Sequence, residues 1–140
     1  MEKTLAIIKP DAVKKKVAGK IIQRIEDEGF TITGLKMLSL TKEDAEGFYI
    51  VHKERPFYSN LTDFMSSGKI VVMQLERENA ISHWRNTMGV TDPALAEPGT
   101  LRREFGFSIE TNATHGSDAP ETAAWEISYF YKDKEATEKL

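Results

Sequence analysis

Short apolar runs alternate with segments of helical period along this chain, and that alternation points to a mixed α+β sandwich. TLAIIK, residues 4–9, is long enough for a buried strand and is stopped by Pro10. VAGKIIQRIEDEG sets Val17, Ile21, Ile22 and Ile25 on one helical face, with Gly29 as the stop. FTITGLKMLSL alternates imperfectly and reads as a second strand with a bulge at Gly34. Thr41 and Asp44 form a capping-box pattern that opens a helix carrying Ala45, Phe48, Tyr49 and His52 on one side. Pro56 suits the first turn of the next helix, where Phe57, Leu61, Phe64 and Met65 line up before Gly68. KIVVMQL is a third strand, and NAISHWRNTMG a helix with Ala80, Trp84 and Met88 inward. WEISYFY alternates Trp125, Ile127, Tyr129 and Tyr131 against Glu126, Ser128 and Phe130, which predicts a fourth strand. The charged tail KDKEATEKL reads as a mobile or packing arm.

The predicted order β-α-β-α-α-β-α-β is that of a split βαβ sandwich. With 140 residues, and neither a repeat nor a linker, one domain over 1–140 is expected. The stretch from Gly89 to Ser117 has no sustained period but carries Pro93, Pro98, Gly99 and Gly106. Thr100 can cap a short turn with Leu101 and Phe105, while the rest reads as loop, and a loop that long is usually functional.

The net charge of −3 argues against a general nucleic-acid or membrane-surface binder, so an anionic ligand would need cations gathered locally by the fold. Cysteine is absent, which excludes disulfide and thiol chemistry. MEKTLAIIKPD lacks the apolar length of a signal peptide, and no stretch is long enough to span a bilayer. A cytoplasmic setting is the simplest expectation.

Within NATHGSDAPE, Asn112 to Glu121, lies one of only three histidines, with neither a cysteine nor a nearby second histidine to complete a metal site. The plainer interpretation makes Asp118 and Glu121 a capping box for a helix APETAAWE, with Pro120 in its first turn and His115 an incidental loop residue. His52 and His83 sit on predicted helices without evident partners. Against this, a histidine at a helix entrance meets backbone N–H groups suited to phosphate oxygens. Neutral imidazole is a fair nucleophile near pH 7, and Glu126 is a candidate to hold its other nitrogen. Phosphoryl transfer needs positioning and charge neutralisation above all. The chain has no GxxxxGK[ST], GxGxxG or HExxH motif. Any phosphate site must therefore be assembled from distant cations, for which Lys9, Arg55, Arg85 and Arg102 are candidates; each taken alone reads first as an ordinary solvated surface charge.

Five collinear stretches resemble the nucleoside diphosphate kinase family over essentially the full length. They are IKPDA at 8–12, FYIVHKERPF from Phe48 to Phe57, RNTMGVTDP from Arg85 to Pro93, PGTLR at 98–102, and NATHGSD from Asn112 to Asp118. The last resembles the family's active-site signature N-x-x-H-G-S-D. The resemblance implies a ferredoxin-like βαββαβ sandwich, with a four-stranded antiparallel sheet covered by helices and a long nucleotide-binding loop after Gly89. It also implies a ping-pong exchange of the terminal phosphoryl group between nucleoside tri- and diphosphates through His115, with little regard for the base.

Carried over by residue, the resemblance makes His115 the group phosphorylated on Nδ1, with Glu126 holding Nε2 and Ser117 supporting that carboxylate. Lys9 would reach the sugar hydroxyl and the transferring group, Asn112 the sugar 3′ oxygen, and Tyr49 the terminal phosphate. Arg55 and Thr91 would hold the middle phosphate, Arg85 and Arg102 would neutralise charge near the terminal one, and Phe57 would stack on the base. Stacking accepts every base because each has a π-face. Magnesium would arrive with the nucleotide, touched by Asp118 through water. The resemblance further implies a homo-oligomer, a tetramer or hexamer and sometimes a dimer, with no membrane and no dedicated nucleic-acid site. Ala119 stands where many members have serine, Asp92 where asparagine is common, and Lys69 where proline often follows Gly68; all three bear on stability or assembly before chemistry.

Two other functions fit the same fold. A non-catalytic binding module would leave His115 remote from Lys9, Arg102 and Glu126. An inactive relative acting through its oligomer would have no need for the full set of phosphate cations, which this chain keeps.

Overall fold

The computed structural model describes residues 1–131; the tail expected to be an arm lies outside them. Its first strand, β1 (Glu2–Ile8), is buried on both faces. Leu5 and Ile7 point into one core, and Ala6 and Ile8 into the other. Period-two alternation between two cores makes Leu5 to Ile8 continuously apolar, which is why this stretch reads as an uninterrupted run. The short helix α1 (Pro10–Lys14) follows at once, with proline in the first turn where its missing N–H costs nothing; its brevity gave no periodic signal. Helix α2 (Ala18–Asp27) buries Ile21 and Ile25 and stops at Gly29, whose φ of +84° suits a residue without Cβ.

Strand β2 (Thr31–Ser39) has its register shift between Ile32 and Gly34, where the bulge was expected. Helix α3 (Lys42–Phe48) carries the full Thr41/Asp44 capping box and runs into a 3₁₀ turn at Ile50–His52. Helix α4 (Tyr58–Met65) starts after Pro56, so Pro56 and Phe57 precede its first turn rather than occupy it. Strand β3 (Lys69–Arg77) and helix α5 (Ala80–Met88) match expectation, with Ala80, Trp84 and Met88 fully buried. Helix α6 (Leu101–Phe105) is the predicted short turn, and Thr100 accepts from the Arg103 amide.

The end of the chain differs from the sequence expectation. WEISYFY is not a strand: all of it but Tyr131, the C-cap, belongs to helix α7 (Pro120–Phe130). Its aromatic density imitates strand alternation, yet Ala123, Glu126 and Phe130 recur at helical spacing and are the buried positions. Pro120 starts the helix, and no glycine or proline interrupts it before residue 131. The fourth strand is instead β4 (Thr114–Gly116), only three residues long. His115 therefore lies in a strand, not at a helix entrance. The expected Asp118 cap is also absent: Ala119 takes the N-cap position with no side-chain bond.

The sheet order is β2-β3-β1-β4, and every neighbouring pair is antiparallel. This is the ferredoxin-like α+β arrangement, with β1, α2, β2, β3, α5 and β4 as the βαββαβ core. Residues from α2 and α5 cover one face with Val71, Met73 and Leu75. Phe48, Met65 and Phe130, from α3, α4 and α7, cover the other with Ile70 and Val72. Burial of each such side chain contributes about 1.5–3 kcal/mol. The two cores fix β1, and through it the edge to which β4 is pinned.

Candidate functional site

β4 pairs with β1 in the register Ile7↔His115 and Ile8↔Thr114. The carbonyl of His115 also accepts from the Trp84 indole Nε1 at 3.1 Å. Gly116 is required beside it, since a Cβ there would meet Trp84 Cδ1 at 2.5 Å and Met88 Cε at 2.6 Å. The backbone beneath the histidine is thus held from the sheet and from α5.

The imidazole is fixed just as closely. His115 Nε2 lies 3.0 Å from Glu126 Oε1, and Ser117 Oγ donates to the same oxygen at 2.8 Å. Ser117 Oγ in turn accepts from the Leu5 amide at 3.2 Å. A carboxylate only accepts, so in the neutral ring the proton is on Nε2 and the lone pair on Nδ1. The edges of Phe48 and Tyr49 bracket the ring at centroid distances of 5.4 and 5.9 Å. Glu126 is buried, with 7 % of its surface exposed. Helix geometry accounts for this, because it sits on the inward face with Ala123 and Phe130.

Lys9 follows β1 and is buried, with Nζ donating to Asn112 Oδ1 at 2.8 Å. Asn112 Nδ2 donates onward to the Thr91 carbonyl at 3.0 Å. Burial, and next the Arg102 guanidinium, lower the Lys9 ammonium to about 8, with Asp11 opposing them. Arg102 donates to the carbonyls of Gly89 at 3.0 Å and Thr114 at 2.9 Å. Burial and the neighbouring Arg85 lower it to about 10. Its Nε and the Tyr49 hydroxyl are buried with no hydrogen-bond partner among the described residues. Burial, reinforced by Glu126, raises the Tyr49 phenol, so it stays a donor at neutral pH.

These groups line one cavity of about 870 Å³. Lys9, Tyr49, Arg85, Thr91, Arg102, Asn112, His115, Asp118 and Glu126 all contribute to its wall, as does Phe57. Two predicted residues stand back from it. Ser117 is buried behind Glu126, and Arg55 lies against Phe57, its Cζ 5.4 Å from the ring centroid. Val51, Ile109 and Glu110 also line the cavity and were missed, because they come from loops and turns that carry no periodic signal; Leu61 on α4 lines it too, where the sequence shows only an apolar helical face. His52 lines it too, its ring 5.4 Å from Phe57. His83, expected to have no partner, instead meets Glu28 Oε1 at 2.7 Å on the far side of the sheet from Glu126. Among the described residues no group of three or more His, Cys, Asp or Glu is placed to hold a metal ion.

Chemically, this is a concave surface with a lone pair at its base, cations around it and an apolar mouth. Tyr49 OH and Arg102 Nε are buried donors without a partner among the described residues. The nucleoside diphosphate kinase family profile matches residues 2–136. The chain is 60 % identical over 131 residues to the nucleoside diphosphate kinase of Pelobacter propionicus, covering 94 % of this chain and 96 % of the relative. It is 58 % identical over 135 residues to that of Geobacter sulfurreducens, covering 96 % and 98 %. Among solved structures, the fold is similar to an orthorhombic crystal form of the Aquifex aeolicus nucleoside diphosphate kinase. The TM-score there is 0.91 at 47 % identity, over 92 % of this chain and 94 % of that one. The apo nucleoside diphosphate kinase of Encephalitozoon cuniculi matches with a TM-score of 0.90 at 36 % identity, over 93 % and 88 %. With a matching fold, near full-length identity and the motif residues gathered on one cavity, the chain belongs to the nucleoside diphosphate kinase family.

Proposed function

We propose that the protein moves the terminal phosphoryl group of a nucleoside triphosphate to a nucleoside diphosphate through a phosphohistidine on His115. The observation that carries this is the bond from His115 Nε2 to Glu126, which leaves Nδ1 as the free nucleophile facing a cation-lined cavity. In the first half-reaction Nδ1 attacks the terminal phosphorus. An N–P bond forms, the bridging P–O bond breaks, and the diphosphate leaves with the electron pair. Nε2 keeps its proton, and the Glu126 carboxylate stabilises the positive charge that develops on the ring. Ser117 fixes the carboxylate oxygen that does so. In the second half-reaction a terminal oxygen of the incoming diphosphate attacks phosphorus and the N–P bond breaks.

Lys9, Arg85 and Arg102 neutralise charge around the transferring group, and Tyr49 donates its buried hydroxyl to it. Arg55 and Thr91 hold the middle phosphate, with Arg55 having to swing from its place against Phe57. Asn112 and Lys9, already bonded to each other, receive the sugar hydroxyls. Phe57, 37 % exposed at the mouth, stacks on the base, and Ile109 lines the same cavity. Stacking on an aromatic ring accepts the π-face of every base, which suits low base specificity.

The wall offers carboxylates one at a time rather than as a cage. That donor set fits a Mg²⁺ held mainly by nucleotide phosphates and water, with Asp118 reaching it through water. When bound, the ion would neutralise phosphate charge and orient the phosphate chain. Two features bear on partners. Strand β2 lies at the sheet edge with Leu35 and Met37 each 55 % exposed, which supports a homo-oligomer, a tetramer or hexamer, built across such surfaces. Among the described residues no helix is long and apolar enough to cross a membrane, and a nucleotide substrate implies a cytoplasmic setting.

A binding module without turnover would not require Glu126 to orient the ring of His115. The deciding experiment is incubation with terminally labelled ATP and magnesium, followed by GDP or CDP. Label should attach to the protein, pass to either diphosphate and be lost in His115→Ala. Label that persists in the variant refutes the nucleophile.

A further inference from the structure

Ala113 adopts φ of +74°, one of three non-glycine residues in the left-handed region among those described. Such a conformation persists only where surrounding bonds impose it. Here both of its peptide groups are clamped by the segment that follows β1, from Lys9 into α1. The Lys9 amide donates to the Ala113 carbonyl at 2.8 Å. The Ala113 amide donates to Asp11 Oδ2 at 3.1 Å. On one side of this turn Asn112 accepts from Lys9 Nζ, and on the other the chain enters β4 and His115. Asp11 does not line the cavity, and its other oxygen, Oδ1, is buried without a partner among the described residues.

We propose that Asp11 is a positioning residue for phosphoryl transfer: its carboxylate holds the left-handed turn at Ala113, and so sets Asn112 and His115 against Lys9. This rests on the phosphohistidine function above. A single side chain thereby ties the IKPDA segment to NATHGSD, and its charge acts on Lys9 as well as its hydrogen bond on the turn. The charged groups facing Lys9 are Arg102 on α6, which disfavours the ammonium, and Asp11 on α1, which favours it. Those facing Asp11 are Lys9 and Lys15. Asparagine at position 11 keeps an acceptor for the Ala113 amide but removes the charge, whereas alanine removes both.

The test compares wild type, Asp11→Asn and Asp11→Ala in two ways. One is the pH profile of kcat/KM for ATP with a diphosphate acceptor; the other is an NMR titration of the Lys9 ammonium in the nucleotide-free protein. Asp11→Asn should keep kcat within a few-fold at neutral pH but move the alkaline fall in kcat/KM, and the Lys9 titration, to lower pH. Asp11→Ala should show the same displacement and a loss in kcat/KM approaching a hundredfold, the scale of a small misplacement at a reacting centre. A merely structural role would lower thermal stability and leave the Lys9 titration where it was. An Asp11→Asn variant whose alkaline limb and Lys9 titration both match wild type, or a folded Asp11→Ala variant that keeps wild-type kcat/KM, overturns the proposal. Should Asp11→Ala fail to fold, Asp11→Ser, whose shorter side chain draws the acceptor back from the Ala113 amide, takes its place in that comparison. If wild type transfers no phosphoryl group, the parent function falls, and the Lys9 titration still shows whether Asp11 acts on it.

Discussion

Lys9 is held in the folded protein at a cost, and Lys9→Met measures that cost. The ammonium is buried and its proton affinity falls from the ordinary 10.5 to about 8, burial being the main cause and Arg102 the next. A displacement of this size corresponds to about 3 kcal/mol against the charged form at neutral pH. Methionine has similar length and no charge, so it removes the penalty. It also leaves Asn112 Oδ1 without its donor, which costs about 1–2 kcal/mol. The unliganded variant should therefore be more stable than wild type by about 1–2 kcal/mol at pH near 7, while its phosphotransfer falls by orders of magnitude. The sign with pH is fixed. Between about 8 and 10.5 the unfolded chain binds the proton and the folded one does not, so this group's contribution to stability rises with pH through that window. Urea unfolding of both proteins at two pH values, near 7 and near 10, reads the effect, and the advantage of the variant should shrink or reverse at the higher one. Saturating ADP at neutral pH should reverse the order, since only wild type offers its cation to the phosphates. A variant less stable than wild type by the same margin at both pH values would show that the buried charge is not under strain.

Other perturbations probe separate parts of the site. Glu126→Gln should reduce kcat at least a hundredfold with little change in nucleotide affinity, because the amide cannot stabilise the imidazolium; equal losses in kcat and affinity would contradict this role. Gly116→Ala should destabilise the fold by about 2 kcal/mol or more, as its Cβ would strike Trp84, and calorimetry will show whether α5 yields instead. Ala113→Gly, relieving a left-handed alanine, should raise stability by up to about 1 kcal/mol without loss of activity; a destabilised variant would mean the turn is not strained. Phe57→Ala should weaken nucleotide binding for purines and pyrimidines alike, and a loss confined to one base would refute stacking as the mode of recognition.

Much of the fold was legible because β1 and β3 are buried on both faces and the helices between them have clear stripes and stops. Ile21 and Ile25 on α2, and Trp84 and Met88 on α5, each mark a single inward face. The sheet's last strand was not legible. Three residues, THG, carry no period, and they become a strand only because the free edge of β1 pairs with them. The aromatic residues of α7 supplied a false alternation instead. That error also hid why Glu126 faces inward. As a strand residue it would have been the polar side of an alternating run, whereas on a helix it shares its face with Ala123 and Phe130 and reaches His115. The site's membership came from short motifs, since Lys9, Arg85, Arg102 and His115 have no common spacing that chemistry could read. Their meeting place is set by long-range pairings such as Lys9 with Asn112. Ile109 and Glu110 escaped for the same reason in reverse, having neither period nor motif to mark them.

The central claim concerns one atom. Glu126 occupies Nε2 of His115, so the proposed mechanism carries the phosphoryl group on Nδ1. Brief reaction with ATP and magnesium, an alkaline quench and ³¹P–¹⁵N NMR of the labelled histidine would locate it. The signal should be that of a phosphoramidate at Nδ1, and it should disappear when GDP is added before the quench. Phosphorylation at Nε2, or on a side chain other than His115, would contradict the account.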